Sequence, residues 1–329
     1  MLELPECKPL PGLADAFGHR ARSLRDLQWK LLDLLHQHDY QEVIPPMLER
    51  PESLQLGAGH FLSDQTLVLS DPAGAGLMAL RPDITPQIAR IAATRLCDQD
   101  ILRLCYSGQV ILARPDTCTG SRQQWQTGVE LLGIPSLDAD IEVIQLAALS
   151  MHHAGFDQPV IQIGHMQLLQ SLIQNSQTSI STENWLRLLN RRSPEDMQEA
   201  LVQTKLSSLQ QQALLEMASG QADLAWVKHY ENQFDEAFQH AASDLQKLIQ
   251  TIEPTLPQGL SIQPDAAVTP RFLYHTGMVF SGYAQGSSQA LLHGGRYDAM
   301  MKKHGRDMPA TGFSFDLWRW LNAIIKEKS

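Results

Sequence analysis

The chain has 329 residues, of which 43% are hydrophobic and 19% charged, with a formal net charge of −10. That length and composition exclude a disordered chain and allow one large domain or two ordinary ones around a substantial core. The acidic balance argues against a nucleic-acid-binding surface, which needs a basic stripe; the nearest candidates, Arg20/Arg22/Arg25 and Lys302/Lys303/Arg306, are short.

The start, MLELPECKPLPG, has neither the basic opening nor the apolar core of a signal peptide. No apolar run approaches the roughly 20 residues of a membrane span. Cys7, Cys97, Cys105 and Cys118 form no C-x-x-C pair and fit no zinc site, and scattered thiols suit a reducing compartment. The expectation is a cytoplasmic protein with no membrane contact, no metal and no cofactor.

Leu24, Leu27, Leu31, Leu34 and Leu35 recur at helical spacing and predict a helix over residues 14–38. A strand follows over residues 40–44, stopped by Pro45-Pro46. Residues 66–70 and 77–81 read as a hairpin closed by the Gly/Pro turn DPAGAG. In LRPDITPQIARIAA, Pro86 suits the first helical position and Thr85 can cap the helix that runs to about Leu96. Strands are predicted from about Ile101 to Leu112 and over WQTGVELLG, separated by the polar loop ARPDTCTGSRQQ. A helix beginning near Asp140 buries Ile141, Ile144 and Ala148, and PVIQIG is a further short strand. From about Met166 to Leu260 the chain turns rich in Gln, Leu, Ser and Ala with helical periodicity, and reads as a helical subdomain inserted between strands. Strand pattern returns in YHTGMVFSGYA and SSQALLHGGRYDAM, and ATGFSFDLWRWLNAIIKEK is a strand running into a terminal helix. This order predicts an α+β fold with a mainly antiparallel sheet flanked by helices. A G-x-G-x-x-G after a strand and a P-loop are both absent.

Three polar clusters are candidates for chemistry. Arg81, Asp83 and Thr85 sit at a strand-to-helix corner, either as an ion pair beside a cap or as groups facing a ligand. Alternation puts Gln126, Gly128 and Glu130 on one strand face, with Trp125, Val129 and Leu131 on the other. Glycine there permits close approach and glutamate can accept from an ammonium group, although a solvated edge strand has the same pattern. In HGGRYD, Gly294-Gly295 allows close backbone approach while Arg296 and Asp298 can pair locally, or the segment is simply a tight turn. A G-x-S-x-G elbow is absent, and neither His36/His38 nor His152-His153 has the spacing of two helical metal ligands.

Taken in order, DYQEVIPPMLE, LRPDITPQIAR, YSGQVIL with QWQTGVELLG, YHTGMVF, LHGGRYD and PATGFSFDLWR resemble the catalytic domain of histidyl-tRNA synthetases. They are still more similar to that enzyme's paralogues, the regulatory subunits of ATP phosphoribosyltransferase. The resemblance covers most of residues 10–165 and 265–325. It implies a class II aminoacyl-tRNA synthetase-like fold: residues 1–165 and 261–329 form a synthetase-type domain, 166–260 a helical insertion, and the chain lacks an anticodon-binding domain. It also implies a dimer through the first long helix and the strand ending in Pro46. By resemblance, Asp83, Thr85, Gln126, Glu130, Tyr274 and His275 hold histidine, with Arg81, Arg114, Gly128, Gly294, Gly295 and Arg296 supporting the pocket.

The departures bear on chemistry. A synthetase needs an arginine on the strand after Tyr-x-Gly to hold the α-phosphate; here Leu112 stands there and Arg114 follows two residues later. Arg319 matches a nucleotide-binding arginine, but Asp316 replaces a glycine beside adenine and Trp318 a glutamate, while Arg271 is one position out of register or needs a bulge. The resemblance therefore implies a non-catalytic subunit. It would join a short-form catalytic ATP phosphoribosyltransferase subunit for the first step of histidine biosynthesis, activate it and carry feedback inhibition by histidine. A truncated synthetase-like enzyme that adenylates an amino acid is the alternative, and a scaffold with an empty pocket is a third.

Overall fold

A computed structural model describes residues 8–57, 59–74, 76–117, 119–174, 180–269, 275–287 and 289–327. The leucine stripe forms α1 (Gly18–Gln37), which buries Leu24, Leu27, Leu31, Leu32, Leu34 and Leu35. Asp39 adopts a left-handed φ of 63° after the helix and turns the chain into β1 (Gln41–Glu42). That strand is two residues long, shorter than predicted. Beyond it Val43 N–H still reaches Cys105 O, but Pro45 and Pro46 have no N–H to extend the ladder.

β2 (Leu48–Glu49), β3 (Leu67–Ser70) and β4 (Leu77–Leu80) make a separate three-stranded sheet in the order β2-β4-β3. Its hairpin is the one the turn residues predict. The short helices α2 (Pro51–Gln55) and α3 (Gly59–Gln65) lie between β2 and β3, and α4 (Thr85–Thr94) leaves the end of β4.

The main sheet is built on β5 (Leu102–Ile111) and β6 (Gln123–Leu132), two ten-residue antiparallel strands. α5 (Leu137–Ala154) begins three residues earlier than predicted, directly after Ser136, and leads to β7 (Val160–His165). Six helices follow: α6 (Met166–Ile173), α7 (Thr182–Arg191), α8 (Pro194–Leu201), α9 (Ser208–Ala218), α10 (Leu224–Tyr230) and α11 (Glu236–Ile252). Side chains of Ser181, Ser193, Ser207, Asp223 and Asp235 cap five of them, taking up N–H groups that would otherwise lack partners. β8 (Ser261–Pro264) then pairs parallel to β7, and β9 (Met278–Tyr283), β10 (Leu292–Arg296), α12 (Asp298–Lys303), β11 (Ala310–Asp316) and α13 (Leu317–Glu327) complete the chain.

The eight strands order as β1-β5-β6-β11-β10-β9-β7-β8, antiparallel except for the two outermost pairs. Strand alternation divides the core into two clusters. Cys105, Val129, Leu131, Phe313 and Phe315 face α1, α5 and α13 in the large cluster; Leu104, Tyr106, Leu132 and Ala310 face α4 and α12 in the smaller one. Trp320 of α13 stacks on Phe315 with ring centroids 3.7 Å apart. Burial of each such large side chain is worth about 1.5–3 kcal/mol. The face bearing the smaller cluster is also the face on which Gln126, Gly128 and Glu130 stand. Among the described residues no helix is long and apolar enough to cross a membrane.

Candidate functional site

The strand-to-helix corner does not form the expected ion pair. Arg81 is buried and directs its guanidinium at backbone oxygens, donating from Nε to Gln109 O (2.9 Å) and from Nη1 to Pro45 O (2.8 Å) and Gln87 Oε1 (3.3 Å). Gly108 makes room for it, since a Cβ there would lie 2.5 Å from Arg81 Nη2. Arg81 thus clamps the Pro45-Pro46 segment to β5.

Thr85 is the first residue of α4, so it does not cap it. The cap comes from two other side chains: Asp83 Oδ1 accepts from Thr85 N–H (3.1 Å), and Gln126 Oε1 accepts from Ile84 N–H (2.8 Å). Gln126 Nε2 in turn donates to Asp83 Oδ1 (2.7 Å). This frees the Thr85 hydroxyl, which donates to Glu130 Oε1 at 3.0 Å.

Glu130 is the centre of the site. Besides Thr85, Tyr106 Oη donates to Oε1 (3.2 Å) and Tyr297 Oη to Oε2 (2.5 Å). Glycines on neighbouring strands make this crowding feasible. A Cβ on Gly128 would sit 2.5 Å from Tyr106 Oη, and one on Gly312 would sit 2.0 Å from Glu130 Oε2. Burial pushes the Glu130 carboxyl up to about 8, and the Asp83 carboxylate adds to that push; the three hydroxyls oppose it. Asp83 is itself 1% exposed, and its Oδ2 is buried without a hydrogen-bond partner among the described residues.

A small crevice of ≈ 20 Å³ lies over Glu130, lined by Thr85, His275, His293, Gly294, Tyr297 and Gly312 among others. His275 is buried, its ring edge-on to Tyr297 at 6.5 Å, and Gly295 lets it approach: a Cβ there would be 2.6 Å from the imidazole. Gly294 similarly accommodates Phe280, which a Cβ would meet at 2.2 Å. His293 accepts or donates through Nδ1 with Ser281 Oγ (3.2 Å) and also borders a larger open cleft containing Gln289 and Arg319.

The structure thus brings Asp83, Thr85, Gln126, Glu130 and His275 together, with Gly128, Gly294 and Gly295 packed around them. Tyr274 and Arg271 lie outside the described residues, as do Cys7 and Cys118. Arg114 is exposed on the loop after β5, where its N–H donates to Gln65. Arg296 does not line the crevice; it bonds Asp140 through Nε (3.0 Å) and Nη2 (2.7 Å), and its weaker contact with Asp298 is 3.6 Å. It fastens β10 to the start of α5, and what HGGRYD delivers to the site is the neighbouring Tyr297. Tyr106 and Tyr297 are the site residues that sequence reasoning missed. Tyr106 faces Gly128 across the β5–β6 pairing, a register that only the structure supplies.

The histidyl-tRNA synthetase family model matches residues 12–319. An ATP phosphoribosyltransferase regulatory subunit of Alkalilimnicola ehrlichii is 34% identical over 310 residues, covering 93% of this chain and 77% of the relative. Another from Chromohalobacter salexigens is 35% identical over 311 residues, covering 93% and 79%. Among solved structures, an ATP phosphoribosyltransferase regulatory subunit/histidyl-tRNA synthetase from Bacillus halodurans C superposes with a TM-score of 0.84 at 24% identity, covering 98% of this chain and 84% of that one. Histidyl-tRNA synthetase from Nostoc sp. PCC 7120 superposes at 0.77 with 19% identity, covering 98% and 75%. The chain belongs to the ATP phosphoribosyltransferase regulatory subunits, a family with the class II histidyl-tRNA synthetase-like fold.

Proposed function

We propose that this chain is the regulatory subunit of an ATP phosphoribosyltransferase, pairing with a short-form catalytic subunit for the first step of histidine biosynthesis, and that its pocket reads free histidine for feedback inhibition. One observation carries the reading. Asp83 and Glu130 are two buried carboxylates at one site, and among the described residues no lysine or arginine is bonded to either. Buried carboxyl groups without a cation are costly to ionise, and a ligand bringing an ammonium and a ring N–H supplies the partners they lack. In this reading Asp83, Thr85 and Gln126 take the α-ammonium, and Glu130 takes the imidazole with Tyr274 and His275 closing over it.

Two residues support binding without adenylation. Leu112 is buried and offers no hydrogen bond to a phosphate. Asp316 stands in the cavity that Arg319 also lines, its Oδ1 accepting from Trp125 N–H (2.9 Å), and a carboxylate there repels a nucleotide phosphate. For the pocket to regulate, histidine must bind one arrangement of the assembly more tightly than another.

The synthetase-type domain comprises 1–165 and 261–329, with 166–260 as the insertion; the parallel pairing of β7 with β8 across that stretch supports this division. Self-association through α1 and the Pro46 segment is supported by exposed apolar side chains there: Phe17 (83%), Trp29 (61%) and Ile44 (82%). The unpaired Cys97 and Cys105 thiols agree with a cytoplasmic setting.

The test is co-purification with a short-form catalytic subunit, followed by histidine titration of its rate and by ATP–pyrophosphate exchange with this chain alone. The reading expects a complex, histidine-dependent inhibition and no exchange. Robust exchange would make the chain an adenylating enzyme, and inhibition without any histidine binding to this chain would leave only a scaffold.

A further inference from the structure

The first turns of α4 serve two places at once. On one side they close the pocket: Asp83 and Gln126 hold the N–H groups of Thr85 and Ile84, and the Thr85 hydroxyl donates to Glu130. On the other side they grip the chain that follows β1. Gln87 is 0% exposed, and its Nε2 donates to Pro46 O (2.8 Å) and to Glu49 Oε2 (3.4 Å). Arg90, further along the helix, pairs with the same Glu49 oxygen at 2.7 Å. The Arg81 guanidinium ties Pro45 O to Gln109 O of β5. The sheet thus anchors Pro45, while α4 anchors Pro46 and Glu49. The outward side of this segment is apolar. Ile44 (82%), Pro46 and Leu48 (42%) are exposed, and Pro45 between them is buried. β1, just before it, is the outermost strand of the main sheet. An edge strand beside an exposed apolar row is a template for another chain, and a second copy related by a two-fold axis brings the same row to the contact.

We infer that histidine binding and self-association are coupled through Gln87, so that each tightens the other. The inference rests on the histidine reading of the pocket and on self-association through this edge. A second copy pressed onto Ile44, Pro46 and Leu48 fixes the carbonyl and the carboxylate that Gln87 and Arg90 hold. It thereby fixes the start of α4, where Thr85 is presented to Glu130 two residues before Gln87. Gln87 does not line the crevice; it is a positioning residue. Conversely, a ligand that draws Asp83 and Thr85 into one arrangement sets the grip of α4 on the segment and readies the apolar row for its partner. The coupling is reciprocal by necessity: association strengthens histidine binding by the same factor by which histidine strengthens association, typically about 5- to 150-fold. Arg81 belongs to the fixed side of this arrangement, since its guanidinium holds the segment to the sheet and not to the body of the helix.

Sedimentation equilibrium of the full chain, with and without saturating L-histidine, reads the association constant in both states. Calorimetry reads the histidine Kd of the wild type and of Ile44→Glu, which sets a charge in the contact and keeps the chain monomeric. Association should be at least about fivefold tighter with histidine, and the histidine Kd of Ile44→Glu weaker by the same factor. Gln87→Leu should still associate and still bind histidine, with each event changing the other by less than about twofold. That ratio is a quantity that a merely structural role for Gln87 would not move. Equal histidine affinity in Ile44→Glu and the associated wild type overturns the inference and leaves both underlying readings standing. Full coupling in Gln87→Leu overturns the role of Gln87. A wild type that stays monomeric at every concentration overturns the self-association reading, and absence of histidine binding overturns the histidine reading; either takes this inference with it. The Ile44→Glu comparison decides the coupling even where Gln87→Leu does not fold.

Discussion

Glu130→Gln is expected to make the empty protein more stable, although it removes a group with three hydrogen-bond partners. The ordinary value of this carboxyl is 4.5, and burial raises it to about 8 in the folded chain. Between those values the folded protein holds a proton that the unfolded chain has released. The stability linked to this group is therefore fully present below about pH 4.5 and is lost as the pH rises toward about 8. The slope is about 1.4 kcal/mol per pH unit, so the wild type loses on the order of 3 kcal/mol between pH 5 and pH 7. Glutamine is neutral throughout and does not lose it. Its amide N–H₂ can donate to the Thr85 and Tyr106 hydroxyl oxygens, both of which can accept. Urea unfolding of both proteins at pH 5, 6 and 7 measures the difference directly, because other titrating groups cancel. The gap should widen with pH in favour of the variant. Parallel pH profiles, or a wild type that gains on the variant toward pH 7, would refute the assignment of Glu130 as a buried neutral acid.

Three other substitutions probe the parts around it. Gly128→Ala places a methyl 2.5 Å from Tyr106 Oη; it should cost about 1–3 kcal/mol in denaturant unfolding and weaken histidine binding by displacing the phenol from Glu130. Arg81→Met should lower stability by about 3 kcal/mol or more through unmet buried carbonyls, with the histidine Kd of the folded protein changing less than threefold; a collapse of affinity at normal stability would return Arg81 to the pocket. Asp140→Ala strands the Arg296 guanidinium, which is 11% exposed, so it should cost about 3–5 kcal/mol, and the double variant with Arg296→Ala should recover part of that in a thermodynamic cycle.

Periodicity and alternation carried much of this architecture, and they failed where the decisive contact lies far along the chain. The face shared by Gln126, Gly128 and Glu130 follows from strand alternation, which needs no tertiary information. The fate of the Thr85 hydroxyl does not: Thr-Pro before an apolar run reads as a cap, yet Asp83 and Gln126 take over the capping and Thr85 turns to an acid 45 residues away. Arg81 beside Asp83 similarly looks like a local pair, but buried carbonyls that have lost water compete more effectively for a five-donor guanidinium. Arg296 pairs more closely with Asp140 across 156 residues (2.7 Å) than with Asp298 two residues on (3.6 Å). Tyr297 stayed hidden inside what reads as a tight glycine turn, because its role depends on β10 and β6 lying on either side of β11. Neither sheet order nor register is encoded locally.

The central claim is that histidine acts through this pocket on a catalytic partner. Its most direct test is the histidine concentration that halves the rate of the reconstituted complex, compared for the wild type and Glu130→Gln. Loss of a charge-assisted hydrogen bond worth about 1.5–3 kcal/mol predicts a rise of roughly ten- to a hundredfold. An unchanged half-inhibitory concentration in a folded, assembled variant would place histidine's action elsewhere and contradict the account.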